Sequence, residues 1–68
     1  MIDTAELRGL IYKRGLSQRK VAEKLGITDK TFYDKMKKAV FNSNEMDAMI
    51  DILEIDDPAE IFFKRPVA

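Results

Sequence analysis

Between Gln18 and Lys38 the chain reads QRKVAEKLGITDKTFYDKMKK, a stretch that leaves the backbone few choices. Ser17 is a good helix-capping residue, and behind it Val21, Ala22 and Leu25 fall three and four apart, on one face of a helix. Gly26 follows the last of them. A glycine there suits the left-handed conformation in which helices commonly stop, and Thr28 can cap a second helix two residues later. In that helix Phe32 and Met36 are four apart and face inward. Lys30, Thr31, Tyr33, Asp34, Lys37 and Lys38 are left on the remaining surface. Ala22 is small where two helices so closely joined must cross. The spacing predicts a helix-turn-helix, its second helix covering about residues 28–38. Such pairs also occur as plain packing units in proteins that never touch nucleic acid.

Charge separates the two readings better than spacing does. The whole chain is neutral, with 12 Lys and Arg against 12 Asp and Glu. Residues 8–38, however, hold ten basic side chains (Arg8, Lys13, Arg14, Arg19, Lys20, Lys24, Lys30, Lys35, Lys37, Lys38) against Glu23, Asp29 and Asp34, a net of +7. Residues 39–68 set Lys64 and Arg65 against seven acids, a net of −5. The predicted dipole places its positive pole on the helix-turn-helix, where a polyanion has to dock if the exposed helix lies in a groove.

Chemistry narrows the function further. A chain of 68 residues buries roughly 60% of its unfolded surface and has little core to spare for an enclosed active site. Cysteine and histidine are both absent, which removes disulfides, the commonest general base and every nitrogen or sulfur side-chain ligand for zinc. The carboxylates have structural readings: Asp3 with Glu6, and Asp57 with Glu60 behind Pro58, form the pattern of a capping box. No catalytic residue, metal, cofactor or small-molecule ligand is therefore expected. No apolar run approaches 18 residues and no basic-then-apolar leader is visible, so the expected location is cytoplasmic, with no membrane partner.

The remaining pattern supports an all-α chain of five helices in one domain spanning 1–68, with an ordered core over about 4–63 and a short tail from 64 to 68. Helix one runs from about Thr4 to Arg14, with Leu7, Leu10 and Ile11 inward and Gly15 as its stop. Helix four starts at Ser43, with Met46, Met49, Ile50 and Leu53 on its apolar face and Glu45, Asp47, Asp51 and Glu54 on the wet side. Helix five opens at an Asp57 cap and carries Ile61, Phe62 and Phe63 before Pro66 limits it. Phe41 is expected in the core, with Asn42 supplying any left-handed turn after helix three.

The succession LRGLIYKRGLSQRKVAEKLGITDKTFYDKM, followed by an acidic fourth helix and IFF, resembles the lambda-repressor-like, Cro-type DNA-binding domains over about residues 4–63. Gln18, Ala22, Gly26 and Ile27 match the family's opening glutamine, small residue, turn glycine and following apolar residue. TFYDKM and IFF look most like small bacteriophage or prophage regulators. The resemblance implies a compact five-helix fold, a transcriptional repressor function and often a dimer on a two-half-site operator. It also implies that Asp29 and Asp34 lie on the base-reading surface.

On this reading helix three enters the major groove of double-stranded DNA, with Lys30, Tyr33 and Asp34 facing base edges and Thr28, Asp29 and Thr31 at its leading end. Ser17, Gln18 and Arg19 hold the backbone at the start of helix two, and Lys37 and Lys38 grip the flanking strand. Tyr33 has a second reading as a half-buried packing residue. Asp29 is explained either by base contact or by the positive end of its helix dipole. Asp34 either pairs with Lys30 or Lys38, four residues away, or accepts from a cytosine amino group. Adjacent residues on a helix point about 100° apart, so Phe62 and Phe63 do not easily enter one small core together. Ile52, Phe62 and Phe63 are the candidate homodimer surface, with Phe63 beside Ile52 its preferred part; the alternative is that both phenylalanines finish the core. A different function class also fits: a protein-interaction module, such as an adaptor or anti-repressor, that uses the acidic half without specific DNA binding.

Overall fold

The computed structural model describes residues 1–64 as five helices with no strand among them. They are α1 (Thr4–Lys13), α2 (Gln18–Leu25), α3 (Asp29–Lys38), α4 (Ser43–Ile52) and α5 (Pro58–Phe62). Pro66 and most of the expected tail lie outside the described residues. None of these helices is long and apolar enough to cross a membrane.

Four of the five starts carry a side-chain cap. Asp3, Ser17, Thr28 and Asn42 each accept a hydrogen bond from the backbone amide three residues on. Only Asn42 completes a reciprocal box, because Glu45 Oε1 in turn accepts from the Asn42 amide at 2.9 Å. The box expected at Asp3 is half made: the Asp3 amide donates instead to the Ile61 carbonyl at 2.7 Å, tying α1 to α5. The box expected at Asp57 does not form at all. There the Glu60 amide donates to the Asp57 backbone carbonyl at 3.2 Å, so α5 opens with a tight i→i+3 turn and the Asp57 carboxylate caps nothing.

The four longer helices end alike, each on one left-handed residue bracketed by two backbone bonds. At the end of α1 the Gly15 amide donates to the Tyr12 carbonyl and the Leu16 amide to Ile11; at the end of α2 Gly26 donates to Glu23 and Ile27 to Ala22. Ala39 with Val40 repeats the arrangement after α3, and Glu54 with Ile55 after α4. Gly15 and Gly26 adopt φ of 74° and 77° without penalty. Ala39 at 56° and Glu54 at 51° reach the same region with a Cβ attached. The left-handed turn after α3 is thus made by Ala39, not by Asn42, whose backbone is extended.

Leu7, Ile11, Val21, Phe32, Met49 and Leu53 are the largest fully buried side chains. Phe41 joins them as expected, its ring 5.5 Å from that of Phe32. Behind this cluster α2 packs against α1, α3 and α4, while α5 closes on α1. The Cα radius of gyration is 11.2 Å, close to the ~11 Å of a compact chain this long.

Three polar ties join elements distant in sequence. Arg14, the C-cap of α1, donates Nε to the Leu53 carbonyl at 2.7 Å and Nη2 to the Glu54 carbonyl at 3.1 Å, capping the far end of α4. Lys35 Nζ lies 3.1 Å from Glu45 Oε1, linking α3 to α4. Glu45, expected on the wet side, is only 8% exposed, since both the Asn42 amide and the Lys35 ammonium draw it inward. Finally, Lys64 Nζ sits 2.7 Å from Asp3 Oδ2. That hydrogen bond holds the Asp3 carboxyl below the usual carboxylate range, helped by the Glu6 amide, and raises the Lys64 ammonium above the ordinary lysine range.

Candidate nucleic-acid interface

The sequence of α3 sorts its side chains cleanly. Phe32 and Met36 are buried, four residues apart, and fix the helix against the core. Lys30, Thr31, Tyr33, Asp34, Lys37 and Lys38 are all exposed on the opposite side. Tyr33 is 49% exposed, a half-buried ring compatible with both of its readings.

At the leading end the hydroxyls are already engaged. Thr28 Oγ1 accepts from the Thr31 amide at 3.1 Å and donates its proton to Thr31 Oγ1 at 2.9 Å. Thr31 therefore keeps its own proton to offer, whereas Thr28 chiefly shapes the helix start. Asp29 accepts from the Lys30 amide at 3.1 Å and lies in the first turn, where a negative charge complements the helix dipole. Its carboxylate thus has a local structural role.

The start of α2 supplies a second exposed element. Ser17 Oγ takes the Lys20 amide, and Ser17 and Arg19 are exposed while Gln18 is half-buried. The first two amides of the helix, at Gln18 and Arg19, precede the first intrahelical bond, from Val21 to the Ser17 carbonyl, and so point outward from a positive dipole end. Gly26, in its left-handed conformation, fixes the exit of α2; Ala22 is buried in the core cluster and Ile27 packs partly against it.

The basic pole is smaller than composition implies. Arg14 and Lys35, two of its ten basic side chains, turn to α4 and are held there. The signals for these ties were weak: a basic residue after a helix, and an Asn-x-x-Glu spacing that marks the Asn42 box. Lys20 meets Glu23 at 3.6 Å on the surface, while Arg19, Lys30, Lys37 and Lys38 take part in no ion pair among the described residues. A shallow depression on one side of α3 is lined by Thr31, Asp34, Lys35, Lys38 and Val40.

At the opposite end of the chain Phe62 is 3% exposed and Phe63 is 65% exposed. The two phenylalanines therefore do not both finish the core. The hollow beside Phe63 is lined by Ala59, Glu60 and Lys64, whereas Ile52 packs against the core cluster.

Comparison of the chain with protein-family models, curated proteins and solved structures found no match.

Proposed function

We propose that the protein binds double-stranded DNA sequence-specifically as a small transcriptional regulator, with α2 and α3 acting as a helix-turn-helix in a lambda-repressor-like five-helix fold. One observation carries this reading: α3 buries Phe32 and Met36 and turns six polar side chains, three of them lysines, to solvent on a rigid support. A major groove about 12 Å wide admits such a helix.

In this mechanism Lys30 reads guanine O6 and N7, Tyr33 contacts a thymine methyl or a phosphate, and Thr31 and Asp34 face neighbouring base edges. Arg19, Lys37 and Lys38 neutralise phosphates, and the free amides at the start of α2 receive a phosphate oxygen. One short domain with few base contacts discriminates poorly, so two copies on a symmetric site supply the rest. Phe63 is the dimer contact we favour. Beside it Glu60 and Lys64 carry opposite charges, which suits a two-fold interface where each patch meets its own copy.

Fluorescence anisotropy of labelled genomic duplexes across a salt series tests the proposal. With about three phosphates neutralised per subunit, by Arg19, Lys37 and Lys38, log affinity falls against log salt with a slope of about −3. Lys30→Ala relaxes preference at one base pair, whereas Lys37→Ala weakens all sequences alike and reduces the slope by about one. A flat salt response refutes the scheme. The net charge of −5 over residues 39–68 then favours the protein-interaction reading, with a cationic partner.

A further inference from the structure

We infer that Asp34 is a specificity residue that selects a cytosine in the bound strand, an inference that rests on the DNA-binding reading and adds to it. The starting point is the one acid of residues 8–38 without a partner among the described residues. Of the other two, Glu23 pairs with a lysine and Asp29 accepts from a backbone amide. Asp34 is exposed and takes part in no ion pair or side-chain hydrogen bond among the described residues. Lys30 and Lys38 lie four residues before and after it, the distance at which helical ion pairs form, yet neither pairs with it. The intrahelical role open to Asp34 on sequence grounds is therefore not taken up.

An ionised carboxylate can only accept hydrogen bonds. In the middle of a face that meets phosphates, it lowers affinity for every sequence unless a donor awaits it. The major groove offers two kinds of base donor, the N4 amino group of cytosine and the N6 amino group of adenine. Adenine sets its N7 acceptor beside that amino group, where it repels the second carboxylate oxygen. Guanine presents two acceptors, and thymine an acceptor and a methyl group. Cytosine alone offers the donor with no acceptor next to it on the same base. Thr31, Lys35, Lys38 and Val40 line the same open depression as Asp34, so the carboxylate stays accessible to a base edge.

Selection from random duplexes with the wild type, Asp34→Ala and Asp34→Asn tests this directly. The wild type is expected to return a motif with one strongly preferred cytosine per half-site, discriminated from other bases by roughly five- to 150-fold. Asp34→Ala should lose preference at that position alone and bind non-cognate duplexes more tightly. Asp34→Asn should move the preference to adenine, because an amide can both accept from N6 and donate to N7. N4-methylcytosine at the position keeps its base pair but puts a methyl group where the groove-facing hydrogen was. It should weaken the wild type about tenfold or more and leave Asp34→Ala indifferent. A wild-type motif that both variants share unchanged overturns the role of Asp34 while leaving DNA reading intact. Failure of the wild type to enrich any motif overturns the DNA-binding reading itself. Unchanged thermal melts of both variants certify that the fold is not at issue, since Asp34 touches no partner whose loss would destabilise it.

Discussion

Arg14 offers the sharpest test of how this small fold is held together. Its guanidinium bridges the end of α1 to two carbonyls at the end of α4, 39 and 40 residues away, where Glu54 sits in a left-handed conformation unfavourable for its side chain. A hydrogen bond from a charged donor contributes about 1.5–3 kcal/mol, and the second, more exposed bond adds less because water replaces it readily. Replacing Arg14 by methionine keeps much of the aliphatic stem and removes both donors, so the expected loss is about 2–3 kcal/mol. Against a total of roughly 3–10 kcal/mol for a chain of this size, that is a large share. It corresponds to a fall in Tm of roughly 10–20 °C. Urea unfolding followed by far-ultraviolet circular dichroism measures it, with an unchanged m-value confirming that the unfolded surface is the same. Arg14→Lys, which retains the charge but not the fork, should recover about half of the loss. Stability of Arg14→Met within about 0.5 kcal/mol of wild type would refute the reasoning, since that is the range of an ordinary surface substitution.

Other consequences can be checked with the same methods. Ala39→Gly removes the Cβ from a left-handed helix end and should stabilise the protein by about 1 kcal/mol, read as a higher urea midpoint; a lower midpoint would contradict the strain argument. Glu45→Ala strips the Asn42 amide and the Lys35 ammonium of their shared acceptor and should destabilise by about 2–3 kcal/mol, with Glu45→Gln falling between because it keeps the amide's acceptor. The pair between Asp3 and Lys64 predicts a pH window: with the Asp3 carboxyl below its ordinary 3.8, its contribution is full above that value and lost as pH falls through the lowered one. Lys64, raised above 10.5, loses its contribution as pH rises through its own raised value. The urea midpoints of wild type and Lys64→Ala should therefore differ between these limits and converge outside both. Phe63→Ala should leave the monomer's stability nearly unchanged, since the ring is largely exposed, and shift sedimentation toward monomer.

The parts of this fold that follow local rules were legible in the chain. Ser17, Gly26 and Thr28 announced the boundaries of α2 and α3 because capping and left-handed turns depend on a few adjacent residues. Whether Phe63 joins Phe62 in the core is left open by the sequence; α5 ends at Phe62, and Phe63, just past it in a non-helical conformation, is exposed. What escaped depended on distant partners or on competition between donors. Asn42 has the composition of a turn residue, but Ala39 takes the left-handed position and Asn42 caps α4. Periodicity alone puts Glu45 on the wet side, and it cannot register that Lys35 approaches from another helix. Asp57 does not cap α5 with its side chain; its backbone carbonyl accepts the Glu60 amide that a capping box needs. At the candidate interface, exposure of the six side chains followed from the burial of Phe32 and Met36, whereas the isolation of Asp34 between two lysines needed coordinates to be seen.

The same charge segregation serves cohesion as well as attraction. Within residues 8–38, Arg14 and Lys35 are the two basic side chains that cross to α4, one to its carbonyl end and the other to the acid in its first turn. Eight of the ten basic residues then remain against the three acids, so the positive pole presented to a polyanion is +5 rather than +7. Under the proposed DNA binding, removing Arg14 should leave the salt dependence untouched, because a guanidinium held by the Leu53 and Glu54 carbonyls releases no counterions from a duplex. Removing Lys37 should change that slope and leave stability alone. The ten lysines and arginines of residues 8–38 that composition treats as equivalent are divided by the fold: Arg14 and Lys35 hold α4 in place, whereas Arg19 at the start of α2 and Lys30, Lys37 and Lys38 on α3 enter no ion pair among the described residues and are the ones the proposed recognition can use.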